Sequence, residues 1–334
     1  MKAIVYREYG PPHEVLRLKE IVMPVPKDDE VLIRVHAASV NPLDVHVMTT
    51  VIGRLMGGLR RPRQPVPGVD ASGVVEAVGK KVTRFAPGDA VFGSCDGAFA
   101  EYACAKVQKI ALKPLSVTHE QAASLPVAGL TALQALRDAG KISKGQTVLI
   151  NGASGGVGTF AVQIAAHYGA DITAVCSTRN VEMVRSLGTN SVIDYTLEDF
   201  TRTGETYDII FDLVGDRPIS DYRRALVPNG TYVGAGMLGK EISIPGVVGG
   251  MIGALVLKPF ISHKLILFMA KVDTDDLAAL AQLVAVGAID PVIDRTFDLT
   301  QAPDAIQYVR DKHAKGKVVI SIIGTPPSPG ELSF

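Results

Sequence analysis

The sequence predicts an α/β protein in which a doubly wound parallel sheet is joined to an antiparallel β domain. Three observations carry this reading: short alternating apolar runs up to about residue 120, alternating strand and helix patterns beyond it, and a glycine-rich turn over residues 151–158, between a strand and a helix. Length agrees. At about 150 residues per domain, 334 residues make two domains, and 47% hydrophobic against 20% charged residues is enough for two cores.

Charge and cysteine usage exclude several classes of function. Lys plus Arg (34) balances Asp plus Glu (34), so no global field gathers nucleic acid or an anionic membrane. Cys95, Cys104 and Cys176 lie far apart, which excludes a disulfide framework and a four-cysteine zinc lobe and suits a reducing compartment. The opening Met1-Lys2-Ala3-Ile4-Val5-Tyr6 reads as a strand without signal-peptide character, so the cytoplasm is expected. Residues 242–261 are apolar, but Pro245, Gly246, Gly249, Gly250, Gly253, Lys258 and Pro259 interrupt them, leaving too little to span about 30 Å. A buried, Gly-rich loop or interface segment is expected there.

The elements follow in order. Strand runs at 30–35 and 73–79 are separated by turn signals such as Pro24-Val25-Pro26 and Pro87-Gly88-Asp89, the texture of an antiparallel β domain. Thr118-His119-Glu120-Gln121 is a capping box that opens a helical stretch over 122–139, with Pro126 and Gly129 as breakers, and places a boundary near residue 121. Then come a strand at 147–151, a helix at 159–168, a strand at 172–176, a helix to 187, and strands at 191–194, 208–213 and 230–235. Such alternation makes a parallel sheet. The tail carries helices at 275–286 and 302–315 and a lone strand at 317–323, for which the antiparallel sheet is the expected host.

The turn Asn151-Gly152-Ala153-Ser154-Gly155-Gly156-Val157-Gly158 is the most specific local feature. Gly155 lets backbone approach a pyrophosphate, Gly158 lets the helix pack closely, and the helix N-terminus offers free N–H groups; Ala153 stands where the first glycine of G-x-G-x-x-G would be. Ser154, Gly155, Gly156, Val157 and Gly158 are therefore expected to bind a dinucleotide. Its second strand ends Val175-Cys176-Ser177-Thr178-Arg179-Asn180, without the carboxylate an NAD site places there. Ser177 and Arg179, with Tyr195 after the third strand, suit a 2′-phosphate, so the expected cofactor is NADPH.

Several motifs together resemble one family. Val40-Asn41-Pro42-Leu43-Asp44, the run 65–75, Pro87-Gly88-Asp89-Ala90-Val91-Phe92-Gly93, Gly129-Leu130-Thr131-Ala132 and the glycine turn occur in the order found in the medium-chain dehydrogenase/reductases. The match resembles their zinc-free quinone oxidoreductase branch and covers essentially the whole chain. It implies a GroES-like catalytic domain from both chain ends, 1–121 and 272–334, with a Rossmann NADP(H)-binding domain, 122–271, inserted between them. It also implies that Pro42 to His46 and Thr131 line the nicotinamide and substrate cleft. The expected cofactor contacts are completed by Pro42, Thr131, Leu213, Gly234 and Lys317.

Zinc-dependent relatives hold their metal at positions that look like Asn41, Val69 and Val127 here, and two aliphatics cannot ligate zinc. An improvised set of His36, His46 and Asp44 lacks thiolates and is closely spaced, so no metal is expected. What remains is hydride delivery to an electrophilic carbon of a quinone or an α,β-unsaturated carbonyl, with hydrogen bonds from Asn41, His46 or Thr131 to the carbonyl oxygen. Asp44 is read as fixing the loop. The apolar stretches 48–59 and 245–261 suit a substrate entrance or a dimer interface, and a homodimer without nucleic-acid or membrane partners is expected. The alternative from another class is a low-turnover NADPH-binding structural or redox-sensing protein.

Overall fold

The computed structural model describes residues 1–50, 53–55, 58, 60–235, 262–311 and 314–322. In chain order these form β1 (Lys2–Val5), α1 (Pro12–Val15), β2 (Arg17–Glu20), β3 (Glu30–Val40), α2 (Pro42–Thr49), β4 (Asp70–Val78), β5 (Ala90–Ser94), β6 (Tyr102–Lys106), β7 (Ile110–Leu112) and α3 (His119–Ser124). Next come α4 (Pro126–Gln134), β8 (Thr147–Asn151), α5 (Gly156–His167), β9 (Asp171–Cys176), α6 (Val181–Ser186), β10 (Ser191–Asp194), β11 (Tyr207–Asp212), α7 (Ile219–Arg224), β12 (Leu226–Gly234) and β13 (Lys264–Leu267). The tail forms α8 (Thr274–Ala285), β14 (Ile293–Asp298), α9 (Ala302–Arg310) and β15 (Lys317–Ser321). The expected segment 242–261 lies outside the described residues, as do 51, 52, 56, 57 and 59 of the stretch 48–59.

The chain divides into two compact units, the first Met1–Val127, Val272–Ala285 and Ile293–Phe334, the second Ala128–Lys271 and Val286–Val292. These bounds differ from 121/122 for physical reasons. Helix α3, capped by Thr118 as its side chain accepts from the Gln121 N–H, buries Ala123 against Ala37 of β3 and Val319 of β15, so it belongs to the first unit. Pro126 then starts α4, and the helical stretch breaks between the two. Strip Val286–Val292 joins the second unit, where the Gln163 carboxamide pairs with the Asp290 backbone, Nε2 donating to its O at 3.1 Å and Oε1 accepting from its N–H at 2.7 Å.

Unit one is built on a seven-stranded sheet, β14-β15-β3-β4-β5-β7 with β6 also on β3. Strand β3 can serve β4, β6 and β15 because register shifts at Leu32/Ile33 and Val35/Ala37 bend it. Its apolar face joins Ile4, Val31, Ile33, Val35, Phe99, Ile110, Ile306 and Val318 in the main core. The closing strand finds its expected host, pairing antiparallel with β3. It is not a lone strand, however: β14 pairs with it in parallel on the outer side.

Unit two carries a six-stranded parallel sheet in the order β10-β9-β8-β11-β12-β13. Central strands β8 and β11 are buried on both faces and read as near-continuous apolar runs. The order reverses direction between β8 and β11, leaving a crevice at the carboxyl ends of these strands. Among the described residues, no helix is long and apolar enough to cross a membrane.

Candidate active site

At the end of β8 the chain turns through Gly152 at φ 88°, a left-handed position suited to glycine, which lets Ala153 stay buried in place of the first fingerprint glycine. Gly158 is fixed by packing, because a Cβ there would stand 2.2 Å from the Gly152 carbonyl oxygen and 2.7 Å from Ala153 backbone. Gly155 is different. It is the N-cap of α5, and a Cβ added to it meets nothing nearer than the Gly152 oxygen at 3.5 Å. The fold itself does not demand a glycine there, and the open space beside the first N–H groups of α5 fits a dinucleotide pyrophosphate.

The second strand's end is tied to this turn. Asn180, 5% exposed, donates through Nδ2 to Ser154 Oγ at 2.9 Å and to Ser177 Oγ at 3.3 Å. Arg179 is exposed on the turn Thr178–Asn180, and Tyr195 follows β10 with 57% exposure. Ser177, Arg179 and Tyr195 thus share one edge of the sheet, since the Tyr195 N–H donates to the Cys176 carbonyl at 3.0 Å. Although the second strand brings no carboxylate, the third does: Asp194 accepts from the Thr196 N–H and Oγ at 2.9 and 2.7 Å, and hydrogen bonding from Thr178 and Thr196 holds its carboxyl below the usual range.

Leu213 and Gly234 end or follow β11 and β12 at the same sheet edge, and Thr131 is half-buried on α4. Asp212, which sequence reasoning missed, organises that edge. Its buried carboxylate accepts from Asn151 Nδ2 (2.9 Å), Tyr232 OH (2.7 Å) and the Val214 and Gly215 N–H groups (3.1 Å each), fixing the loop after β11 against the end of β8.

In unit one the expected site residues gather at the start of α2. Asn41 is the N-cap, and its backbone N–H donates to Asp44 Oδ2 at 2.8 Å, the loop-fixing role expected of Asp44. The Asn41 side chain is buried, with Nδ2 donating to Asp70 Oδ2 at 2.9 Å and Oδ1 accepting from Lys317 Nζ at 2.7 Å. Pro42 is exposed at the first helical position, and His46 is half-buried one turn on. Lys317, expected as a cofactor contact, is 3% exposed; its ammonium is held inward by Asn41 and also points at the Val40 carbonyl, 3.5 Å away, so it is left out of the cofactor's border below. Burial pushes the Asp44 carboxyl up to about 7 and that of Asp70 up to about 6, while it pushes the Lys317 ammonium down against the pull of both carboxylates.

Two of the three positions compared with zinc ligands meet at one carboxylate: the Asn41 amide and the Val127 N–H, at 3.2 Å, both donate to Asp70. Val69 contributes its carbonyl to the Cys95 N–H at 2.8 Å. His36 lies against His119, with ring centroids 4.3 Å apart. Among the described residues, no group of three or more His, Cys, Asp or Glu is placed to hold a metal ion.

Comparison with known proteins agrees with this architecture. Residues 27–115 match the alcohol dehydrogenase GroES-like domain, and residues 187–320 match the family described as zinc-binding dehydrogenase. The chain is 37% identical to a mitochondrial NAD(P)H oxidoreductase of Mus musculus, over 97% of this chain and 89% of that protein. It is 34% identical to a chloroplastic NADPH-dependent alkenal/one oxidoreductase of Arabidopsis thaliana, over 96% and 79%. The solved quinone oxidoreductase of Coxiella burnetii superposes with a TM-score of 0.84 at 32% identity, covering 97% of this chain and 99% of that one. A mycobacterial structure complexed with NADPH does so with a TM-score of 0.80 at 26% identity, over 96% and 100%.

Fold and site define an NAD(P)-binding oxidoreductase with a Rossmann sheet and a GroES-like sheet. The chain belongs to the medium-chain dehydrogenase/reductase superfamily, in its quinone oxidoreductase branch.

Proposed function

We propose that the protein is an NADPH-dependent reductase that transfers hydride to quinones or α,β-unsaturated carbonyls without a metal. The observation that carries this is Gly155, whose missing side chain leaves room that packing does not require, at a helix N-terminus beside Ser154, Ser177 and the exposed Arg179. Bound at that edge, NADPH supplies the hydride. In this reading the turn residues Ser154 to Gly158 hold the pyrophosphate, and Ser177, Arg179 and Tyr195 the 2′-phosphate. Pro42, Thr131, Leu213 and Gly234 border the remainder of the cofactor.

Unit one is then the catalytic unit and unit two the cofactor unit. Asn41, His46 and Thr131 donate to the substrate carbonyl oxygen, where negative charge grows as the hydride arrives. A homodimer belongs to the same reading. So does the cytoplasm, which the free thiols of Cys95, Cys104 and Cys176 support, although relatives carry mitochondrial and chloroplastic in their names.

The test is NADPH oxidation screened over quinones, enals, enones and alcohols, with labelled cofactor. Turnover should appear with quinones or enones, with deuteride on the carbon β to an enone carbonyl. Label on the carbonyl carbon would overturn the mechanism, and tight binding without turnover of any acceptor would replace this reading with a nucleotide-binding structural or sensing role.

A further inference from the structure

The buried cluster around Asn41 contains an ammonium that the proposed hydride transfer has not used. The register of β15 on β3 pairs Val318 with Val40, which brings Lys317 opposite Asn41. Lys317 is 3% exposed, and it is followed on β15 by Val318, Val319 and Ile320, all buried and apolar. Desolvating an ammonium is costly, and the nearby Asp44 and Asp70 carboxylates offset only part of that cost. The charge is therefore placed against a folding penalty, and its short hydrogen bond goes to the side-chain oxygen of Asn41 at 2.7 Å.

A carboxamide has two orientations of nearly the same shape, and only its partners choose between them. Here the choice is made twice. With Oδ1 on Lys317 and Nδ2 on Asp70, both contacts are charge-assisted. Reversed, Nδ2 would face an ammonium that has no acceptor, and Oδ1 would face a carboxylate that has no proton to give when ionised. Asp70 is itself held by the Val127 N–H at 3.2 Å, and the Asn41 backbone by Asp44 at 2.8 Å. The amide nitrogen carries two hydrogens. Asp70 takes one, leaving the other with a fixed direction.

We propose that Lys317 is a positioning residue, whose ammonium locks and polarises the Asn41 amide so that its second Nδ2–H stands ready for the carbonyl oxygen of a quinone or enone. This rests on the reading of Asn41 as a residue that meets the substrate. Drawing electron density toward Oδ1 makes the Nδ2–H a stronger donor. The charge reaches the reacting oxygen through the amide, and Lys317 itself need touch neither substrate nor cofactor.

The test pairs Lys317→Met, which keeps length and removes the donor, with Asn41→Ala and the double variant. Lys317→Met should lower kcat with a quinone by about 10- to 100-fold while the KM for NADPH stays within about twofold. The double variant should be no slower than Asn41→Ala alone, because one amide carries both effects. Unchanged kcat in Lys317→Met, or losses that multiply in the double variant, would overturn the proposal.

Should Lys317→Met fail to fold, Lys317→Gln keeps an uncharged N–H donor and should show a smaller kcat loss with the same non-additivity; additivity there overturns it equally. An independent readout is hydrogen exchange of the Asn41 side-chain amide in asparagine-labelled protein, expected to be at least about tenfold faster in whichever lysine variant folds. Equal exchange in variant and parent would show that Lys317 does not hold the amide. Absence of any quinone or enone turnover in the parent would instead refute the proposed function, and the exchange comparison would still decide the role of Lys317.

Discussion

The imidazole rings of His36 and His119 stack with centroids 4.3 Å apart and planes tilted by 31°, and His119 Nδ1 lies 2.8 Å from Ser72 Oγ. Ser72 Oγ donates to the Val91 carbonyl at 2.9 Å, so it accepts from His119, which assigns the ring proton to Nδ1. Burial lowers both histidines, with Arg34 adding to the effect on His36 and Glu120 opposing it; burial, His36 and Lys113 together push His119 down to about 4.

The pH dependence follows with a definite sign. A histidine held neutral by the fold binds fewer protons folded than unfolded, so stability rises with pH. This contribution is complete above an unfolded value of about 6.5 and is lost as pH falls from there toward 4. The raised carboxyls of Asp44 and Asp70 act in the opposite sense over the same window, so the histidine's share is read as a difference between proteins: the Tm of the parent relative to that of His119→Phe should fall as pH drops from 6.5 toward 4. An equal pH dependence in parent and variant would place the sensitivity elsewhere.

The two glycines of the turn should separate folding from binding. Gly158→Ala drives a methyl into backbone on the Gly152–Ala153 side and should cost about 1–3 kcal/mol or more, seen as a lower Tm without cofactor. Gly155→Ala meets only an ordinary contact at 3.5 Å, so Tm should hold while the Kd for NADPH and NADH rises together. A stable Gly158→Ala protein with normal binding would contradict the packing argument.

Removing the exposed guanidinium at the second strand's end should change cofactor preference. Arg179→Ala is expected to weaken NADPH by about 10- to 100-fold, the equivalent of about 1.5–3 kcal/mol, and to leave NADH nearly untouched. Titration calorimetry or cofactor fluorescence with both dinucleotides checks this. Equal losses for the two would remove Arg179 from the 2′-phosphate site.

Exhaustive chelation should leave quinone or enone reduction intact, and elemental analysis should find no stoichiometric zinc, because Asn41, Val69 and Val127 offer no ligand set. The enzyme should also fail to oxidise primary alcohols with NADP+, since nothing at Asn41 lowers an alcohol's pKa as a metal would. One zinc per chain, lost together with activity, would defeat this prediction.

Much of this arrangement was legible because its signals are local. The turn 151–158 declares itself by glycines at fixed offsets between a buried strand and a helix, and Thr118 and Gln121 form their capping box three residues apart. Strand β14 escaped notice because Ile293–Asp298 is an edge strand with Asp294, Arg295 and Asp298 among its six residues, which hides any alternation. Strand β13 was missed beside the Gly-rich apolar stretch that precedes it.

The polar network was invisible for another reason. Asn41 meets Asp70 across 29 positions and Lys317 across 276, and Asn151 meets Asp212 across 61. No periodicity encodes such pairs, which exist only once β3 has paired with β15, or β8 with β11. The resemblance names Lys317 as a cofactor contact, and nothing in the sequence points to Asn41 as its partner.

The strip Val286–Val292 makes the two units inseparable by simple cutting. The backbone passes from one unit to the other at 127/128, 271/272, 285/286 and 292/293. A fragment ending at Lys271 would strip the Gln163 carboxamide of both Asp290 contacts, leaving Nε2 on the Thr159 carbonyl and Oε1 without the Asp290 N–H. A chimera that swaps cofactor units between relatives must therefore import two stretches of sequence, and junctions drawn only at the first two crossings would leave seven of the recipient's own residues, 286–292, packed in the donor's unit.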